Sequence, residues 1–111
     1  MEAKEAIAKR DFHRLGGVAE RSCLRMHASA MAADPGVLYW NGATVDVIHA
    51  VRKARAGGLS VFFTIDAGPH VKVFCPSAEE EAATHLLREI PGVHKVLSTR
   101  PGHGARLVQD D

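Results

Sequence analysis

The stretch that most constrains this chain of 111 residues is LSVFFTIDAGPHVKVFCP, residues 59–76. A β-rich apolar run over residues 59–65 meets Asp66-Ala67-Gly68-Pro69, and a second run from His70 to Cys75 leads away, which predicts two strands joined by a tight turn. An acid therefore sits on the bend. Gly68 can supply a positive φ and Pro69 fixes φ and removes a donor, so the turn holds Asp66 in a defined direction at the end of a strand. Two readings stay open from the residues alone: a carboxylate that caps local backbone N–H groups, as is common in hairpins, or one positioned for chemistry.

A length of 111 residues suits one domain with a single two-layer core. Its 46% hydrophobic and 24% charged residues make disorder a poor description of the whole chain. Lys and Arg number 14 against 13 Asp and Glu, so the formal net charge of +1 gives no bulk field for nucleic acid or an anionic membrane. Cys23 and Cys75 show no CxxC spacing and read as buried reduced thiols. No apolar run approaches a membrane span and the start, MEAKEAIAKRDF, has no signal-peptide core, so a cytoplasmic location is expected.

In chain order, residues 1–9 are rich in Ala, Glu and Lys and predict a short helix. From Asp11, the spacing of Phe12, Leu15, Ala19, Cys23, Met26 and Ala30 predicts one apolar stripe on a long helix ending near Ala33. Gly16-Gly17 inside it costs roughly 1 kcal/mol per glycine relative to alanine, which calls for close packing there, or else a bend. Asp34-Pro35-Gly36 stops this helix, and Val37-Leu38-Tyr39-Trp40 reads as a buried connector. A second helix with Thr44 as N-cap and Val45, Ile48, Val51 and Ala54 or Arg55 on its apolar face should close at Gly57-Gly58. After the hairpin, Ser77 and Glu80 suggest a capping box on a helix over residues 78–90, with Ala82, Leu86, Leu87 and Ile90 inward. Residues 93–99 and 105–109 are expected to be a third and a fourth strand around the loop Pro101-Gly102-His103-Gly104. The expected fold is α+β, with helices on one face of a four-stranded, mostly antiparallel sheet.

FTIDAGPHVKV, together with RDFHRLGGVAERSCLRMHASAMAADPGVLYWN upstream, resembles the carboxyl-terminal domain of the diphosphomevalonate decarboxylases, within the GHMP kinase superfamily. The resemblance runs from about Ala6 to Leu107. It implies a ferredoxin-like two-layer domain and a reaction in which ATP phosphorylates the 3-hydroxyl of mevalonate diphosphate before phosphate and carbon dioxide leave. Asp66 would be the catalytic aspartate beside that hydroxyl. A carboxylate suits the step because it can accept or orient the hydroxyl proton during transfer, and it must be ionised to do so. No phosphate-loop motif occurs here, since neither Gly16-Gly17 nor Gly57-Gly58 forms one. ATP and magnesium are accordingly expected only in the complete enzyme, bound by an amino-terminal GHMP domain absent from this sequence, with none bound to this chain alone, which should be inactive by itself. A mevalonate kinase-like phosphotransferase of the same superfamily is the near alternative. A stand-alone ferredoxin-like module that binds and does not catalyse is the distant one.

On the same resemblance, Gly68 and His70 flank the substrate, and His70 stands where the family usually carries asparagine. Gly102 and Gly104 fall at the superfamily's third, glycine-rich motif, although two glycines one residue apart also describe an ordinary turn. His27 matches a recurrent Met-His-Ala in the long helix and reads either as a cleft residue or as a packing histidine. The seven histidines show no ligand pairing at metal spacing, so no metal site is expected in the chain. Apolar surface left by an absent partner domain is expected to let isolated copies associate as a homodimer at high concentration.

Overall fold

The computed structural model describes residues 1–109. Helix α1 spans Glu2–Ala8, α2 Phe12–Ala32 and α3 Gly42–Ala56. Strands β1 (Phe62–Ile65) and β2 (Val71–Phe74) follow, then a 3-10 turn (Ser77–Glu79) and α4 (Glu80–Arg88). The strands pair antiparallel, from Phe62 opposite Phe74 to Ile65 opposite Val71. The turn between them is looser than expected, because five residues, 66–70, connect the strands. With that length no positive φ is needed at Gly68; among the described glycines only Gly58 adopts one, at 106°.

α2 runs unbroken through Gly16-Gly17, begun by Asp11, whose carboxylate accepts from Arg14 N at 2.9 Å. Of the predicted stripe, only Cys23 lies on its fully buried side. Gly16, Glu20, Cys23 and His27 face inward, while Met26 is 41% exposed. The reason is what the helix packs against. Gly16 lies on the Phe62 ring, where any Cβ would collide, and the next three inward side chains meet the backbone edge of β1, which calls for polar atoms and not an apolar stripe.

α3 starts from Asn41, three residues before the expected cap: Asn41 Oδ1 accepts from Thr44 N at 2.9 Å and Thr44 Oγ1 accepts from Asn41 N at 3.2 Å. Val47, Ile48 and Val51 join Val61, Phe63, Ile65, Cys23 and Ala83 in one core, against which Val71 and Val73 of β2 and Cys75 just beyond it also pack. Val45 is left exposed. On the opposite face of the hairpin, Phe62 and Phe74 are met edge-on by Phe12 of α2, at centroid distances of 5.6 and 5.8 Å.

The carboxyl-terminal third departs furthest from expectation. No capping box forms at Ser77, because Glu80 is drawn to Ser98 Oγ and to Arg100 and Glu79 accepts from Ser60 N. α4 therefore presents Ala83 to the core, and Ala82 is exposed. Residues 93–99 and 105–109 are not strands, so among the described residues the sheet has two strands and not four. A strand needs a free backbone edge. Of the hairpin's two edges, that of β1 is occupied by α2, and neither segment is paired with that of β2: residues 98–100 are tied to α4 by side chains, and Leu107 is 98% exposed. Val37 and Leu38 of the connector are likewise exposed, with Tyr39 and Trp40 half-buried. No helix among the described residues is long and apolar enough to cross a membrane.

The two glycines of α2 should respond oppositely to alanine. Gly17 faces open space, so Gly17→Ala should stabilise by about 0.5–1 kcal/mol through helix propensity. Gly16→Ala forces the Phe62 ring aside and should destabilise by about 1–3 kcal/mol. Urea unfolding midpoints of the two variants check this. In the same assay Glu20→Gln should cost about 3 kcal/mol, because it leaves the Arg55 guanidinium without its carboxylate.

Candidate active site

Three inward side chains of α2 hydrogen-bond to the outer edge of β1 and so set where that strand ends. Glu20 Oε1 accepts from Phe63 N at 3.1 Å, Cys23 Sγ accepts from Ile65 N at 3.2 Å, and His27 Nε2 is 2.9 Å from Ile65 O. Arg55 of α3 locks the first of these. Its two terminal nitrogens donate to both Glu20 oxygens at 2.6 and 2.9 Å, it donates also to Val61 O at 2.9 Å, and its guanidinium lies 4.7 Å over the Phe62 ring. His27 is fully buried, with its ring edge-on to Tyr39 at 5.7 Å and tilted against Trp40 at 5.1 Å.

The chain emerges from this clamp directly into Asp66. On the far side of the loop, the buried Thr44 hydroxyl donates to Pro69 O at 2.8 Å, so the helix cap of α3 also anchors the hairpin connection. Asp66 is thus held between two fixed carbonyls, with its own side chain 79% exposed. Among the described residues its carboxylate accepts from no backbone N–H; its partner is Lys72 Nζ, 2.6 Å from Oδ2. That hydrogen bond first, and the Lys72 charge next, hold the Asp66 carboxyl below its ordinary pKa; desolvation opposes them, and His27 beneath, the least of the four, adds in the lowering direction. The carboxylate is ionised at neutral pH and Oδ1 is left open. Such a group can accept a proton from, or orient, a hydroxyl brought against it.

The other expected residues divide. His27 lies under the loop and reaches it through the Ile65 carbonyl, and Gly68 and His70 belong to the loop itself, His70 being exposed. Gly102 and Gly104 are exposed in the segment after α4, with open space where a Cβ would stand on each. The structure brings His27, Asp66, Gly68 and His70 together and gives the two later glycines no packed surroundings. Residues the sequence reading did not assign to the site are Lys72, Thr44 and Asn41. Strand alternation carried the signal for Lys72, since it shares a face with His70 next to the loop, and Asn41-x-x-Thr44 carries cap spacing. Burial pushes the Cys23 and Cys75 thiols above their ordinary pKa, which leaves them as neutral packing groups. The concave surfaces on the outer side of α2, around Leu24 and Ala28, and along α4, around Ala82 and Ser98, do not include Asp66. Among the described residues no three His, Cys, Asp or Glu side chains gather as a metal site.

Residues 1–107 match the family model of the mevalonate 5-diphosphate decarboxylase C-terminal domain. The diphosphomevalonate decarboxylase of Candida albicans is 23% identical over 112 residues, covering 96% of this chain and 31% of that protein. A solved mevalonate diphosphate decarboxylase from Enterococcus faecalis, described for mevalonate diphosphate mediated ATP binding, is 41% identical, with a TM-score of 0.76 over 79% of this chain and 27% of that one. A further structure, MDDEF in complex with MVAPP, AMPPCP and magnesium, is 38% identical, with a TM-score of 0.77 over 82% of this chain and 28% of that one. The chain thus spans about a third or less of the length of these relatives.

The clamp on Pro69 is separable from the helix cap. Thr44→Val loses both and should cost about 1–2 kcal/mol while speeding amide exchange across residues 66–70. Asn41→Ala should cost a similar amount yet leave exchange in the loop unchanged, as measured by hydrogen–deuterium exchange.

Proposed function

The chain belongs to the mevalonate 5-diphosphate decarboxylase C-terminal domain family, and from that membership we propose that it forms the carboxyl-terminal part of a diphosphomevalonate decarboxylase of isoprenoid biosynthesis. The overall reaction is the ATP-dependent conversion of mevalonate 5-diphosphate to isopentenyl diphosphate, with loss of carbon dioxide and phosphate. The observation that carries this reading is Asp66: an ionised carboxylate on a loop anchored at both ends, with one oxygen free and facing solvent.

In this role Asp66 lies against the 3-hydroxyl of the substrate and Oδ1 takes or directs its proton as the oxygen becomes a nucleophile. A fixed loop matters because misplacement by about 1 Å can reduce rate on the order of a hundredfold. His27 supports the strand end, and Gly68 and His70 line the approach to the substrate.

The residues present do not fit ATP or magnesium by themselves. Gly102 and Gly104 form no cradle, and Asp66 is a lone carboxylate paired with a lysine. Those groups fall to an amino-terminal GHMP domain, which would close over the Asp66 loop. Exposed Val37 and Leu38 are apolar surface for such a partner to cover.

Asp66→Asn in the complete enzyme should lower kcat by about 10²–10⁴-fold with KM for mevalonate diphosphate little changed. ADP formation and carbon dioxide release should fall together; a variant with full turnover overturns the proposal. A wild-type enzyme that phosphorylates without releasing carbon dioxide would belong with the kinases of the superfamily.

A further inference from the structure

The backbone on either side of Asp66 is fixed, at Ile65 O by His27 and at Pro69 O by Thr44. What the clamps leave undetermined is the rotation of the Asp66 side chain. Lys72 settles it. It pairs with Thr64 across the hairpin, so its side chain rises from the same face of the sheet as Thr64, next to the end from which Asp66 leaves, and Nζ reaches Oδ2 at 2.6 Å.

We propose that Lys72 is a positioning residue of the site: it grips Asp66 by Oδ2, so that Oδ1 is the oxygen presented to the substrate hydroxyl. This rests on the decarboxylase reading above. The pair is exposed on both sides, 54% and 79%, so its worth to folding is small and its consequence lies in charge and direction. The titratable groups facing Asp66 are Lys72 from β2 and His27 and Cys23 from α2. Of these, Lys72 has the largest effect, and it keeps the carboxylate ionised as the pH falls. Removing the ammonium moves the protonation of Asp66 to higher pH.

Two readouts test this. In the complete enzyme, Lys72→Met should shift the acidic limb of the kcat/KM profile to higher pH and lower the plateau above it by about tenfold or more through lost orientation. Lys72→Arg should recover most of both. In this chain, the ¹³C carboxyl resonance of Asp66 should titrate at higher pH in Lys72→Met than in the unsubstituted protein, with the melting temperature unchanged. A titration that does not move overturns the role of Lys72 alone. Full turnover by Asp66→Asn overturns the reading on which it rests, whatever the titration shows.

Discussion

Everything that places Asp66 depends on how α2 meets β1. A strand edge presents backbone donors and acceptors that must be satisfied, and here helix side chains satisfy them in place of another strand. Glu20, Cys23 and His27 stand three and then four residues apart, one above another on a single helix face. That spacing matches the outward backbone groups of Phe63 and Ile65. A buried carboxylate on such a face needs a counter-charge, and Arg55 supplies it in bidentate form while also bonding Val61 O and lying on Phe62. One ion pair thereby joins two helices and a strand.

The site inherits its rigidity from this arrangement. His27 fixes the last carbonyl before Asp66, and the α3 cap fixes the carbonyl at the other end of the loop through a residue whose first duty is local. Between the two anchors the chain needs few contacts of its own, which is why an exposed acid can sit on a defined base. Surrounding it, this chain offers only one wall. The open side of Asp66 is where the decarboxylase reading puts the substrate and the remainder of the enzyme.

How much of this could be read from residues varies along the chain. The hairpin and the long helix were legible because alternation and helical spacing are local patterns, and the bend acid stood out between them. The facing of α2 was not. A stripe search seeks apolar residues, whereas the buried face carries Glu20 and His27, whose reason for burial lies on β1, some forty residues away in sequence. The same holds at α4, where Ser77 and Glu80 have cap spacing but Glu80 bonds Ser98 and Arg100. The third and fourth strands failed for a related cause, since strand propensity in residues 93–99 and 105–109 cannot reveal whether those segments reach a strand edge, and here Ser98 and Arg100 are tied to α4. Asp66 stands out in the sequence, whereas alternation puts Lys72 on the face of His70 without showing that it reaches Asp66, which the register of the hairpin supplies.

The measurement that bears most directly on the edge-capping account is the native-state exchange rate of the Phe63 and Ile65 amides. Neither donates to a strand on the α2 side, yet with Glu20 and Cys23 as acceptors both should be protected to nearly the level of the core, exchanging only as the domain unfolds. Exchange of either amide at the rate of an exposed edge would mean that α2 does not hold β1, and the anchoring of the Asp66 loop would lose its basis.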